Sequence, residues 1–125
     1  MQTVGYIDVQ KYRCVSDDIT GAEVVITDER MIHIAQRHPT DYERFMDCIP
    51  EIIADPDYIV ESNKANTAVI LKEIEYHGEK FKLILRLKVT GDPVDYKSSV
   101  LSFWHIGDTT WNKTLRNKKI LYKKR

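Results

Sequence analysis

The sequence predicts an α+β domain in which two N-terminal helices pack on a four-stranded antiparallel sheet. Three observations lead there. Between residues 28 and 53 the apolar side chains recur at helical spacing, from Tyr58 onward they alternate with polar ones, and turn-forming residues divide the alternating stretch at hairpin lengths. At 125 residues the chain is of single-domain length and can bury one core. We see no internal repeat, low-complexity block or Pro/Gly/Ser-rich linker that would divide it.

The opening stretch, with Val4, Tyr6 and Ile7 and later Val15, reads as a weak strand followed by a polar loop from Ser16 to Gly21, so residues 1–22 are an N-terminal extension or an edge strand. Glu23-Val24-Val25-Ile26 is a short β-branched run. It ends at Thr27, an apt helix N-cap, with Asp28 and Glu29 in the first turn, where the helix dipole favours negative charge. A helix from about Asp28 to Arg37 follows, ended by Pro39, which biases His38 away from helical geometry. Thr40-Asp41-Tyr42-Glu43 has a capping-box pattern and opens a second helix, with Tyr42, Phe45, Met46, Ile49, Ile52 and Ile53 facing the core. Pro50 kinks this helix or splits off its last turn, and Asp55-Pro56-Asp57 closes it.

The alternating runs are Tyr58 to Glu61, Thr67 to Tyr76, Phe81 to Thr90 and Val100 to Ile106. Ser62 to Asn66 and His77-Gly78-Glu79-Lys80 have the length and composition of hairpin loops, so the four runs form a meander. In the third run Phe81, Leu83, Leu85, Leu87 and Val89 share one face, while Lys82, Ile84, Arg86 and Lys88 share the other. One side meets the helices, and the other is left for a ligand. Thr109 could cap a short helical turn through Trp111 and Leu115, before a last short strand at Ile120-Leu121-Tyr122.

Formal net charge is zero, yet residues 1–61 hold 13 acidic against 5 basic side chains and residues 62–125 hold 6 against 14. The extreme is residues 110–125, which have seven cations and no acid and suit phosphate contact through counterion release, or else form a solvated tail. Cys14 and Cys48 have no CxxC or histidine spacing, which argues against a zinc site or redox motif and for two ordinary buried thiols. No apolar run approaches the roughly 18 residues of a membrane span, and the N-terminus lacks a signal-peptide layout. The expectation is a cytoplasmic protein, or one delivered into a target-cell cytoplasm, without membrane contact.

The densest chemical cluster is His33-Ile34-Ala35-Gln36-Arg37-His38-Pro39. On a helix Arg30, His33 and Arg37 share a face, joining a titratable imidazole to guanidinium groups that suit a phosphorane. His33 otherwise reads as a surface histidine, and His38 as a C-terminal residue capping backbone carbonyls. On the strand Val100 to Ile106, Ser102 and Trp104 share a face opposite His105. Ser102 could bind a phosphate oxygen, and Trp104 could stack on a base or fill the core. Lys72, Arg86 and Lys88, with Lys113 beyond the last long strand, complete a basic floor or else a solvated sheet face. The absence of a Gly-rich phosphate loop, HExxH or clustered carboxylate pair counts against nucleotide hydrolases, metalloproteases and glycosidases.

The segment TDERMIHIAQRHP, followed by a capped helix, DPDYIV and alternating strands, resembles the phage and polymorphic-toxin branch of the barnase, EndoU, colicin and RelE-like nucleases over residues 23–122. The resemblance implies a metal-independent endoribonuclease toxin without cofactor, acting by 2′-hydroxyl attack to leave a 2′,3′-cyclic phosphate. It further implies His33 and His38 as base and acid, Arg37 and Lys113 as phosphorane stabilisers, Ser102 positioning a phosphate oxygen and Tyr122 as an RNA contact in the closing basic segment; the face and charge readings add Arg30, Lys72, Arg86, Lys88 and Trp104 as expected RNA contacts. The implied partners are RNA, tRNA among the candidates, and an acidic cognate inhibitor or immunity protein. The competing reading is a non-catalytic RNA- or protein-binding module of phage or mobile-element origin on the same fold.

Overall fold

Alternation of polar and apolar residues from Tyr58 onward builds the centre of the molecule. A computed structural model describes residues 1–76 and 78–125. The meander consists of β3 (Tyr58–Val60), β4 (Thr67–Ile74), β5 (Glu79–Arg86) and β6 (Ser98–Ile106), each antiparallel to the next. His77, expected in the β4–β5 loop, lies outside the described residues; Gly78 beside it has φ +66°, the left-handed conformation that a tight turn asks of glycine.

The sheet is larger than the four antiparallel strands that the sequence predicts. β1 (Gln2–Tyr6), β2 (Glu23–Ile26) and β7 (Ile120–Lys123) join it, in the order β1-β2-β6-β5-β4-β3-β7. β2 pairs with β6 in parallel, making the sheet mixed, and β7 pairs with β3. The weak opening strand, the β-branched run at Glu23–Ile26 and the last short strand at Ile120–Tyr122 are all read in the sequence as segments, but the strands they pair with lie elsewhere in the chain, so local pattern cannot assign their places in the sheet. β5 stops at Arg86 rather than continuing to Thr90, and beyond it Val89 makes a lone bridge to Ile19.

Five helices accompany these strands among the described residues. α1 (Val9–Tyr12) is capped by Asp8. α2 (Asp28–Arg37) has the predicted bounds, with Thr27 Oγ1 accepting the Arg30 N–H. α3 (Pro39–Phe45) starts two residues earlier than the capping-box reading requires, because Pro39 occupies its first turn and His38, which offers no side-chain cap, stands at the N-cap position. Asp41 instead accepts the backbone N–H of His105 at 3.0 Å. A 3-10 turn at Met46–Cys48 separates α3 from α4 (Ile49–Ala54), which carries Pro50 in its first turn, so the chain is broken just ahead of the proline. α5 (Asp108–Asn117) is a full helix capped at Gly107, not a turn capped by Thr109.

One sheet face holds the core. Ile59, Ala68, Ile70, Phe81, Leu83, Leu85, Val100 and Phe103 meet Ile34, Phe45, Ile49, Ile52 and Ile53 from the helices. Phe81 anchors it, with Phe45 edge-on at 4.9 Å and Phe103 stacked at 5.4 Å. Each such side chain contributes about 1.5–3 kcal/mol on burial. The first 22 residues are part of this core: Val4, Ile7, Tyr12 and Ile19 are buried in it, and the Tyr12 hydroxyl donates to the Ile53 carbonyl at 2.6 Å. Of the two free thiols Cys48 is buried, but Cys14, in the turn that follows α1, is exposed, correcting the expectation of two buried cysteines.

Candidate functional site

β2 pairs with β6 only at Ser98 and Ser99, which leaves the β6 edge beyond them open. α2 and α3 cover that edge: Arg30 Nη1 reaches the Leu101 carbonyl at 3.4 Å, and Asp41 takes the His105 N–H. Because α2 straddles the edge, its two sides face different environments. Ile34 enters the core, while Arg30 and His33 border a groove on the opposite sheet face. The strict alternation of β5 delivers Lys82 and Ile84 to that face. In β6 a bulge at Leu101 shifts the register, after which Ser102 lies across from Ile84 and Trp104 across from Lys82.

The groove has a volume of about 370 Å³. α2 supplies Arg30 and His33; β5 and β6 supply Lys82 and Ser102; α5 and its exit supply Thr114 and Lys118; the β3–β4 loop supplies Glu61 and Lys64. Glu61 is the one carboxylate among the lining residues. Among the described residues none of Arg30, Lys64, Lys82 or Lys118 has a carboxylate within ion-pair distance. Burial holds the Lys82 ammonium below the usual lysine range, and repulsion from Lys118 adds to this. Several uncompensated cations beside an imidazole and a hydroxyl can bind an anion and exchange protons with it. Among the described residues no three His, Cys, Asp or Glu side chains gather as metal ligands. No described helix is long and apolar enough to cross a membrane.

Of the residues singled out from sequence, Arg30, His33 and Ser102 come together in this groove. The others do not. Arg37 is exposed at the end of α2, one turn past His33, and does not border the groove. The His38 ring lies parallel to Trp104 at 5.6 Å, and Lys82 Nζ sits 5.5 Å from the same indole, so Trp104 is engaged by two side chains instead of offering an open stacking surface. Lys113 borders a neighbouring depression.

The basic floor needs correction. Lys72 pairs across the sheet with Phe81, which puts it on the core face, where its buried ammonium meets Asp55 at 3.2 Å and Asp57 at 3.4 Å. Arg86 has the expected face but is consumed by Asp92, the Leu87 carbonyl and the Tyr96 ring. Asp92 is held below the usual carboxylate range, chiefly by the Val89 N–H and then by Arg86. Lys88 donates to the Val94 carbonyl at 3.0 Å. Tyr122 is aligned with Ile59 and packs against the core, away from the groove.

Sequence reasoning missed Glu61, Lys82 and Lys118 as groove residues. Alternation already put Lys82 on the right face; its freedom from ion pairs, unlike Arg86, is a tertiary fact. Glu61 and Lys118 become neighbours because β7 returns to β3, with the Glu61 N–H donating to the Lys119 carbonyl at 3.0 Å.

A family model described as phage-Barnase-EndoU-ColicinE5/D-RelE like nuclease2 matches residues 1–123. Searches of curated proteins and of solved structures find no match.

Proposed function

Because the chain belongs to this phage-related family of barnase, EndoU, colicin and RelE-like nucleases, we propose that its groove cleaves RNA by attack of the ribose 2′-hydroxyl on the adjacent phosphate. The observation that supports this most is the convergence of His33 with Arg30, Lys82, Lys118, Ser102 and Glu61 around one groove whose cations have no ion-pair partner among the described residues.

The 2′-hydroxyl proton must leave as its oxygen forms a bond to phosphorus, and the departing 5′-oxygen must gain a proton as its own bond to phosphorus breaks. The products are a 2′,3′-cyclic phosphate and a free 5′-hydroxyl. Of the groove's side chains, a carboxylate and an imidazole are the types suited to these transfers near neutral pH, so Glu61 takes the first proton and His33 supplies the second. This replaces His38 as His33's partner, since His38 stands outside the groove on Trp104. Arg30, Lys82 and Lys118 stabilise the doubly charged phosphorane, with Lys82 strengthened by partial desolvation, and Ser102 donates a hydrogen bond to a phosphate oxygen. An inhibitor that covers such a groove would present carboxylates to it and gain electrostatic steering, as expected for a toxin kept in check in a cytoplasm.

The test is incubation of an RNA oligonucleotide and a DNA of the same sequence with the protein in EDTA, with product ends read by mass spectrometry. RNA fragments ending in cyclic phosphate and intact DNA are the expected result. His33→Ala should slow cleavage by about 10²–10⁴-fold. Intact RNA would favour a binding module, and 5′-phosphate ends or cleavage abolished by EDTA would refute the mechanism.

A further inference from the structure

Beside the central groove a second depression opens along α5. Lys82, Thr114 and Lys118 border both; Thr110, Lys113 and Asn117 border only the second. Thr110, Lys113, Thr114 and Asn117 recur at i, i+3, i+4 and i+7, which makes them one stripe of the helix. The stripe is wholly polar. The lining residues comprise three lysines and no acid, and among the described residues none of the three has an ion-pair partner. The acid at the start of α5, Asp108, is occupied elsewhere by Lys80 at 3.0 Å. Thr114 turns its hydroxyl back to the Thr110 carbonyl at 2.8 Å, so the lysine ammonium groups remain as the charged donors of the depression.

We propose that this depression is a second phosphate subsite, holding the phosphate next to the one in the central groove, so that the ligand is a single strand of several nucleotides lying over α5. The proposal rests on the nuclease reading for the identity of the strand. Its own content is that Lys113 binds a flanking phosphate and is no part of the cleavage centre. Lys82 and Lys118, shared by both depressions, keep the two phosphates on one continuous cationic track. A single strand supplies a flexible backbone able to follow this track, whereas the Thr110 and Asn117 side chains add hydrogen-bond donors without sequence selectivity.

The test uses fluorescently labelled 2′-deoxy strands of two and four nucleotides, which the proposed chemistry cannot cleave, bound to wild-type protein and to Lys113→Gln at several salt concentrations and followed by anisotropy. The tetranucleotide should bind wild type more tightly and with a steeper salt dependence than the dinucleotide. Lys113→Gln should reduce the logarithmic salt slope of the tetranucleotide by about 0.7, the value of one single-strand phosphate contact, and leave the dinucleotide's slope alone. An unchanged tetranucleotide slope in the variant, or equal slopes for both strands in wild type, overturns the subsite. RNA cleavage with an unchanged slope sinks the subsite alone; the predicted slopes with RNA left intact sink the nuclease reading alone.

Discussion

Asp55 joins the α4–β3 corner to three other parts of the chain, and Asp55→Asn should expose what that junction contributes. Its carboxylate meets Lys124 Nζ beyond β7 at 2.5 Å, Lys72 on β4 at 3.2 Å and Lys11 on α1 at 3.5 Å. The hydrogen bond from Lys124 is the largest reason that its carboxyl is pulled from the ordinary 3.8 down to about 2, with Lys72 adding to it against the opposing effect of burial. At 1.36 kcal/mol per tenfold change, that depression corresponds to roughly 2.4 kcal/mol before solvent screening. The side chain is 37% exposed, so screening cuts this to about 1 kcal/mol. Lys72 is only 5% exposed, but it retains Asp57 at 3.4 Å, and the roughly 3–5 kcal/mol cost of stranding a buried charge does not apply. We therefore expect Asp55→Asn to cost about 1 kcal/mol at pH 7, lowering Tm by about 3–6 °C. Because the folded-state value is depressed, the stabilisation is fully present above the unfolded value near 3.8 and is lost as pH falls through about 2. Urea denaturation followed by tryptophan fluorescence should show the gap between wild type and variant narrowing from pH 4 downward. A gap as large at pH 2.5 as at pH 7, or none at pH 7, would refute this account of the junction.

Two further substitutions probe the backbone and the site. Gly5 has φ +151° at a bulge in β1, and an added Cβ would come within 3.0 Å of Ile53 Cδ1 and 3.3 Å of Pro50 Cα; Gly5→Ala should cost about 1–3 kcal/mol, measured as a fall in the urea midpoint with an unchanged m value. His38→Ala removes the stacking partner of Trp104 but no groove side chain, so RNA cleavage should fall less than about tenfold, against the far larger loss from His33→Ala; equal losses would return His38 to the cleavage centre.

The features legible in the sequence are those that a few adjacent residues decide. Thr27 and Pro39 bound α2 because an N-cap hydroxyl and a proline act within one turn. Alternation in β5 sorted Phe81, Leu83 and Leu85 from Lys82 and Ile84 because the strand's own geometry imposes a period of two. The pairing of Ser102 with Trp104 on one face follows from the same rule, as does the presence of Arg30 and His33 on one side of a helix.

Which of these residues share a site depended on partners distant in sequence. Lys72 and Lys82 look alike in sequence, yet one opposes Phe81 and is neutralised by Asp55 and Asp57 while the other opposes Trp104 and has no ion-pair partner among the described residues. Arg86 is withdrawn by Asp92, Tyr122 is turned to the core by its register with Ile59, and Glu61 joins Lys118 only when β7 closes on β3. The sequence by itself determined the α+β class, the bounds of α2, the central meander and the family resemblance, since all of these are written in local periodicity and short motifs. Tertiary structure alone decided the parallel β2–β6 join, the burial of Lys72 and the membership of the groove, because strand register and charge pairing are settled between segments whose relative positions no local pattern encodes.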